Sequence, residues 1–169
     1  MKSVILLRGV NVGGHNKLPM KELCAILEAL GADNPQSYIQ SGNVVIDGAL
    51  SADAIGAAIE AAKGFRPYVL VLSGNTFLDI VAQNPFEAFD GKLVHIWFTA
   101  GAFTFDQENA DRLRADSEAL HVGARAVYLH APEGIGRSKL ATKIEKLAGV
   151  PCTARNMNTV FKLLEMLDV

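Results

Sequence analysis

The sequence predicts an α+β fold of two halves, each running strand, helix, strand, strand, helix, strand, with a terminal helix after the second. Three observations carry this. Short apolar runs alternate with segments whose apolar residues recur at helical spacing. Glycine, proline and capping residues fall between them, where turns and helix ends need them. Half of the 169 residues are hydrophobic and a fifth are charged, an ordinary balance for a chain that buries a core.

Residues 3–8 read as a buried strand that ends on Arg8. Pro19 opens a helix, a first-turn role that proline tolerates; Leu23, Ile26, Leu27 and Leu30 follow at helical spacing and Gly31 stops it. Ser37 to Ile46 reads as a hairpin, with Tyr38-Ile39-Gln40 and Val44-Val45-Ile46 flanking a Ser41-Gly42-Asn43 turn. Ser51 is an N-cap for a helix through Ile55, Ile59 and Ala62 that Gly64 ends, and Pro67 to Leu72 is a fourth strand. A short helix over Asn75 to Gln83, capped by Ser73 or Asn75, stops at Asn84-Pro85.

Then the order repeats. Leu93 to Thr99 is a strand, Gln107 to Ala115 an amphipathic helix, and Ala119 to Val122 with Ala126 to His130 a strand pair around Gly123. Ser138 to Ala148 reads as a helix with Leu140, Ile144 and Leu147 on one face, Val150 to Ala154 as a strand, and Thr159 to Leu167 as the terminal helix. Each half is a split βαβ unit, the ferredoxin-like pattern, and the expected division is 1–74 and 75–169. Helices on one face of each sheet leave the other faces to pack together or to carry a groove.

A net charge of −2 argues against a protein that coats nucleic acid non-specifically, though a local basic pocket is compatible with it. Cys24 and Cys152 fit no metal or redox spacing and read as buried, reduced thiols. The apolar run Val4 to Leu7 is far too short for a signal peptide, no run reaches membrane-spanning length, and a cytoplasmic location is expected. No metal constellation is visible.

Charge is segregated along the chain. The windows Arg8 to Lys21, Gly134 to Ile144 and Pro151 to Leu164 hold eight of the sixteen lysines and arginines, namely Arg8, Lys17, Lys21, Arg137, Lys139, Lys143, Arg155 and Lys162, and none of the eighteen acids. An even spread would place about four acids there. The windows are also dense in glycine and asparagine, so they suggest a pocket for an anion in which all three face one another. In the first, Gly13 and Gly14 allow close backbone approach, flanked by Asn11, His15, Asn16 and Lys17. The loop lacks the Gly-Lys-Ser/Thr ending of a P-loop, so nucleoside triphosphate hydrolysis is not indicated. In the second, Arg137, Ser138 and Lys139 open a helix whose free amides favour phosphate or carboxylate; the plainer reading makes Ser138 an N-cap beside solvated cations. In the third, Asn156 or Asn158 caps the terminal helix and leaves Arg155 to meet a ligand. Gln40, Ser41 and Asn43 line a polar site or simply build a hairpin. His95 and Trp97 alternate in a strand and read as core, and His121 and His130 sit at strand ends with no partner at meaningful spacing.

The segments LLRGVNVGGHNKLPMKEL, SYIQSGNVVI, the Asn84-Pro85-Phe86 step, GIGRSKL and ARNMNTVFKLLEM resemble a bacterial family catalogued as domain of unknown function 1697. The resemblance runs in order through nearly the whole chain. It implies a cytosolic α+β protein with ferredoxin-like halves and no established activity, substrate or cofactor. The family's motifs match at Arg8, Gly9, Asn11, Gly13, Gly14, Asn16, Gln40 to Asn43, Ser138, Lys139, Arg155, Asn156, Asn158 and Thr159. One departure is Met157, where the family tends to have tryptophan; a ring stacked on a ligand would be missed there, whereas a ring that only packs is readily replaced by methionine.

The leading functional reading is a binding protein for a phosphate-bearing or other anionic ligand, a nucleotide or a nucleic-acid end, with Arg8, Lys139 and Arg155 supplying charge. The alternatives are an enzyme on an anionic substrate, with His15 or Lys17 as acid or base, and a structural or oligomer-forming protein whose polar loops only fix the fold. Exposed edge strands make a homodimer plausible.

Overall fold

The structure, a computed structural model, describes residues 1–168. It divides into two compact units, Met1–Leu78 with the chain from Phe161 onward, and Asp79–Val160. In the first unit β1 (Lys2–Arg8), β2 (Asp33–Tyr38), β3 (Asn43–Asp47) and β4 (Tyr68–Ser73) form an antiparallel sheet in the order β2-β3-β1-β4, with α1 (Met20–Ala29) and α2 (Ala52–Lys63) as its helices. Side chains alternate along the strands: Ile5, Leu7, Val44, Ile46 and Val69 join Leu23, Leu27, Ile55 and Ile59 of the helices in one core. The opposite set, Val4, Leu6, Val45, Leu70 and Leu72, is buried as well. A strand buried on both faces reads as an unbroken apolar run, which is why β1 stands out in the sequence.

Helix α2 follows its sequence signals closely. Ser51 Oγ accepts from Ala54 N at 3.0 Å, and Gly64 ends the helix at a φ of 82°. The hairpin differs from expectation. β2 starts at Asp33 and stops at Tyr38, so Ile39 and Gln40 belong to the turn and Asn43 to the next strand. Gly42, at a φ of 91°, aims its carbonyl at Leu7 N, 2.8 Å away, and that bond fixes where the turn must close.

In the second unit β5 (Val94–Phe98), β6 (Ala119–Val122), β7 (Ala126–His130) and β8 (Thr153–Asn156) repeat the same antiparallel order, β6-β7-β5-β8. The boundary between the units falls within α3 (Gly74–Ala82), at whose start Ser73 Oγ accepts from Thr76 N at 3.2 Å. The second core joins Trp97, Val127 and Leu129 to Ala110 of α4 (Gln107–Leu113) and to Ile144, Leu147 and Ala148 of α5 (Ile144–Ala148). The fold class read from the sequence is therefore present, a ferredoxin-like strand order in both units followed by a C-terminal helix.

Three boundaries move. Of the helix expected over Ser138 to Ala148 only Ile144–Ala148 is α-helical; Ala141–Lys143 is a 3-10 turn, and a further 3-10 turn, Ile135–Arg137, precedes Ser138. The short turns let Ile135, Leu140 and Ile144 all reach one core. The last strand starts at Thr153 because Pro151 has no N–H and Cys152 N donates instead to Glu145 Oε2 at 2.9 Å. The terminal helix α6 (Met157–Met166) starts in the second unit, but from Phe161 its residues fall in the first, whereas the expected division placed it all in the second half.

Candidate functional site

The connection from β1 to α1 is held open by its own backbone. Gly9, Asn11, Gly13, Gly14 and Asn16 all have φ between 52° and 81°. Val12 and His15 form an isolated antiparallel bridge, with His15 N donating to Val12 O at 2.9 Å, so Gly13 and Gly14 sit at the tip of a small hairpin. Left-handed backbone is where glycine and asparagine have the advantage over other residues. Buried Val10 and Leu18 anchor the two ends of the loop.

Asparagine side chains brace it. Asn11 Oδ1 accepts from Leu18 N at 2.8 Å, and Asn11 Nδ2 donates to Leu18 O at 2.8 Å and to Gln40 O at 2.7 Å. Asn16 Nδ2 donates to Gly9 O at 3.0 Å. Asn43, fully buried, donates to Tyr38 O at 3.0 Å and to Ser41 Oγ at 2.9 Å. These three amides hold the loop and the β2–β3 turn together. Their donors are committed to the protein itself.

What they frame is a shallow pocket of about 390 Å³ lined by Asn11, Gly14, Lys17, Pro19 and Gln40. Gly13, Gly14, His15 and Lys17 are exposed, and among the described residues neither glycine amide takes part in an internal hydrogen bond. Lys17 makes no ion pair or hydrogen bond among the described residues. Arg8, at the end of β1, sets its guanidinium 5.9 Å from the ring centroid of Tyr68, its register partner on β4. That is a cation–π arrangement.

The other candidates lie in the second unit, and there the structure separates them. Ser138 is buried, and its Oγ accepts from Ala141 N at 3.0 Å within the turn; Arg137 and Lys139 are exposed. Because no helix begins at Ser138, no row of helix amides points from it, which removes the dipole argument at this position. Arg155 is half-buried on β8, and Nη1 donates to Ala154 O at 2.8 Å; burial pushes its guanidinium down to about 10. Arg155 pairs in register with Ile96 and Ala154 with Trp97. Since Ala154 and Trp97 join the core of α4 and α5, to which Leu140 also belongs, alternation puts Arg155 on the opposite face of that sheet. The second unit thus does not bring Arg155 to Arg137, Ser138 and Lys139.

Asn156 Oδ1 accepts from Thr159 N at 3.0 Å and is the cap of α6; Asn158 is exposed and stands so close to Gly91 that a Cβ there would meet its amide. Met157 is 2% exposed, a packing position rather than a surface on which a ring stacks on a ligand. His95 is half-buried on the face that Trp97 shares, and burial lowers its imidazole to about 4. A second-unit pocket of about 450 Å³, lined by Asp106, Asn109, Arg112, Leu113, Lys143, Lys146 and Leu147, takes in Lys143 of the second window but none of Arg137, Ser138, Lys139 or Arg155.

Sequence reading missed Pro19 as a wall and Tyr68 as the partner of Arg8, since both depend on where the loop lands. Among the described residues no group of histidine, cysteine, aspartate and glutamate is placed to hold a metal ion. No described helix is long and apolar enough to cross a membrane.

Comparison with known proteins agrees with this architecture. No curated protein matches the chain. Among solved structures it is similar to the conserved bacterial protein SP0830 from Streptococcus pneumoniae, with a TM-score of 0.73 and 26% identity over 98% of each chain. The family described as Protein of unknown function (DUF1697) matches over residues 1–128, which take in the first unit's sheet, the whole glycine loop and much of the second unit. The chain belongs to the DUF1697 family.

Proposed function

We propose that the first unit binds a phosphate-bearing or otherwise anionic ligand in the pocket between the β1–α1 loop and the β2–β3 turn. One observation carries the reading: Lys17, exposed and unpaired among the described residues, opens on the same pocket as Gly14 and Gln40, in a stretch from Arg8 to Lys21 that holds no acid. The amides of Gly13 and Gly14 supply donors at the hairpin tip, and the asparagine brace holds them in place before any ligand arrives.

Magnitudes set the expected affinity. Hydrogen bonds to a charged group contribute roughly 1.5–3 kcal/mol each. A lysine and one or two amides, in an open pocket that leaves the ligand partly hydrated, correspond to dissociation constants of about millimolar for inorganic phosphate. The test is a thermal-melt series in phosphate, pyrophosphate and 5′-AMP at fixed ionic strength, on the protein and on Lys17→Ala. Ligand at about a hundred times its dissociation constant stabilises by about 2.7 kcal/mol. A shift lost in Lys17→Ala supports the site; a flat series, or a shift the variant keeps, overturns it. The reading of the loop as purely structural draws on the asparagines, whose amides all bond to the protein, and it predicts the flat series.

A further inference from the structure

Ile39 has an unusual conformation for its residue type. It is β-branched, lies at a φ of 49°, and is 49% exposed. The other described non-glycine residues in the left-handed region are Asn11, Asn16, Asn34 and Asp168, types that tolerate it. An asparagine at position 39 would hold the same turn with less strain, and so much exposure means that core packing does not account for the isoleucine. In the β1–α1 loop Val12 is 64% exposed. The bond from Asn11 Nδ2 to Gln40 O, 2.7 Å, ties the residue before Val12 to the residue after Ile39. Two large exposed hydrophobic residues thus flank one hydrogen bond, and both residues of that bond line the Lys17 pocket.

We infer that Val12 and Ile39 receive the apolar body of the ligand, so that the site takes an organic phosphomonoester rather than inorganic phosphate. This rests on the anion-binding reading above. The phosphoryl group lies toward Lys17 and the Gly13–Gly14 amides, and the carbon framework covers the two aliphatic side chains. Inorganic phosphate would use the cation and leave both aliphatic groups in water, with nothing gained from the strained isoleucine. Nucleotides and alkyl phosphates share this chemistry, and the probes distinguish them.

The experiment is calorimetric titration of the full chain with inorganic phosphate, 5′-AMP, adenosine and hexyl phosphate, repeated on Lys17→Ala, Val12→Ser and Ile39→Asn, with a melt of each variant. The expected result is that AMP or hexyl phosphate binds about tenfold or more tighter than phosphate, as burial of one aliphatic side chain would give. Whichever binds tighter names the source. Val12→Ser and Ile39→Asn remove that preference and leave phosphate binding unchanged, while Ile39→Asn melts no lower than the parent protein. If every phosphate compound binds alike and depends on Lys17, the inference falls and the anion site stands. If no compound binds in a Lys17-dependent way, both fall. Should Ile39→Asn fold poorly, Val12→Ser alone decides between these outcomes, since it leaves the turn untouched.

Discussion

The two units cross from first strand to first helix at the same point of the same topology, and they do it with opposite chemistry. In the second unit residues 99–106 contain no cation and no left-handed residue. Phe103 and Phe105 pack on the core with their rings edge to face, and the single Thr99 hydroxyl proton is shared between Gly101 O, 2.7 Å away, and Arg125 O, 2.9 Å away. That connection closes on its own core. In the first unit residues 9–19 carry five left-handed residues, no acid, and exposed His15 and Lys17 two positions apart. A ferredoxin-like half therefore makes this crossing without a glycine hairpin. The open loop is an addition to the fold, and the chemistry at its surface is what the addition provides.

The largest expected effect separates the glycines of the two units. A Cβ on Gly42 would stand 2.6 Å from Leu7 Cβ, at a φ of 91°. Overpacking and left-handed strain together predict that Gly42→Ala loses about 3 kcal/mol or more in urea unfolding. Gly101, with open space around it and no positive φ, predicts a change within about 0.5 kcal/mol for the same substitution. Equal losses would break the contrast.

Next come the braces. Asn11→Ala removes three hydrogen bonds to Leu18 and Gln40 and is expected to cost about 2–3 kcal/mol. Thr99→Val, which removes one hydroxyl donor from a loop that aromatic packing also holds, is expected to cost about half as much by the same measurement. A Thr99→Val loss larger than that of Asn11→Ala would mean that the first loop does not depend on its asparagine.

The second unit carries a group that makes it sensitive to acid. Burial holds His95 at about 4, against 6.5 for the free side chain. Between those values the unfolded chain binds a proton that the folded chain does not, so stability falls as pH drops from 6.5 toward 4 and is unaffected above 6.5. His95→Gln should flatten that part of the stability–pH curve; an unchanged slope would place the cause elsewhere. The smallest effect on stability is that of Lys17→Ala, a change within about 0.5 kcal/mol, because the side chain is exposed and unpaired among the described residues.

Much of this architecture is legible in sequence because it is local. Ser51 and Gly64 mark both ends of α2, and the unbroken apolar run of β1 announces a strand buried on two faces. Local signals fail where a distant partner decides. Nothing in Tyr38-Ile39-Gln40 says that Gly42 must reach Leu7 N, so a strand is expected where the chain in fact turns. Which face Arg155 takes depends on its register with Ile96, and a shift of one residue would reverse it. For the proposed site, composition singles out the glycine loop and Lys17, while the commitment of Asn11, Asn16 and Asn43 to the protein's own backbone emerges only from three dimensions.

The most direct test of the anion site is a ¹⁵N–¹H spectrum of the protein titrated with 5′-AMP at constant ionic strength. The amides of Gly13 and Gly14 are predicted to shift saturably together with Gln40, and to stop shifting in Lys17→Ala, while residues 99–106 stay still. Saturable shifts confined to the second unit, or glycine resonances that do not move, would contradict the assignment of the ligand site to the first loop.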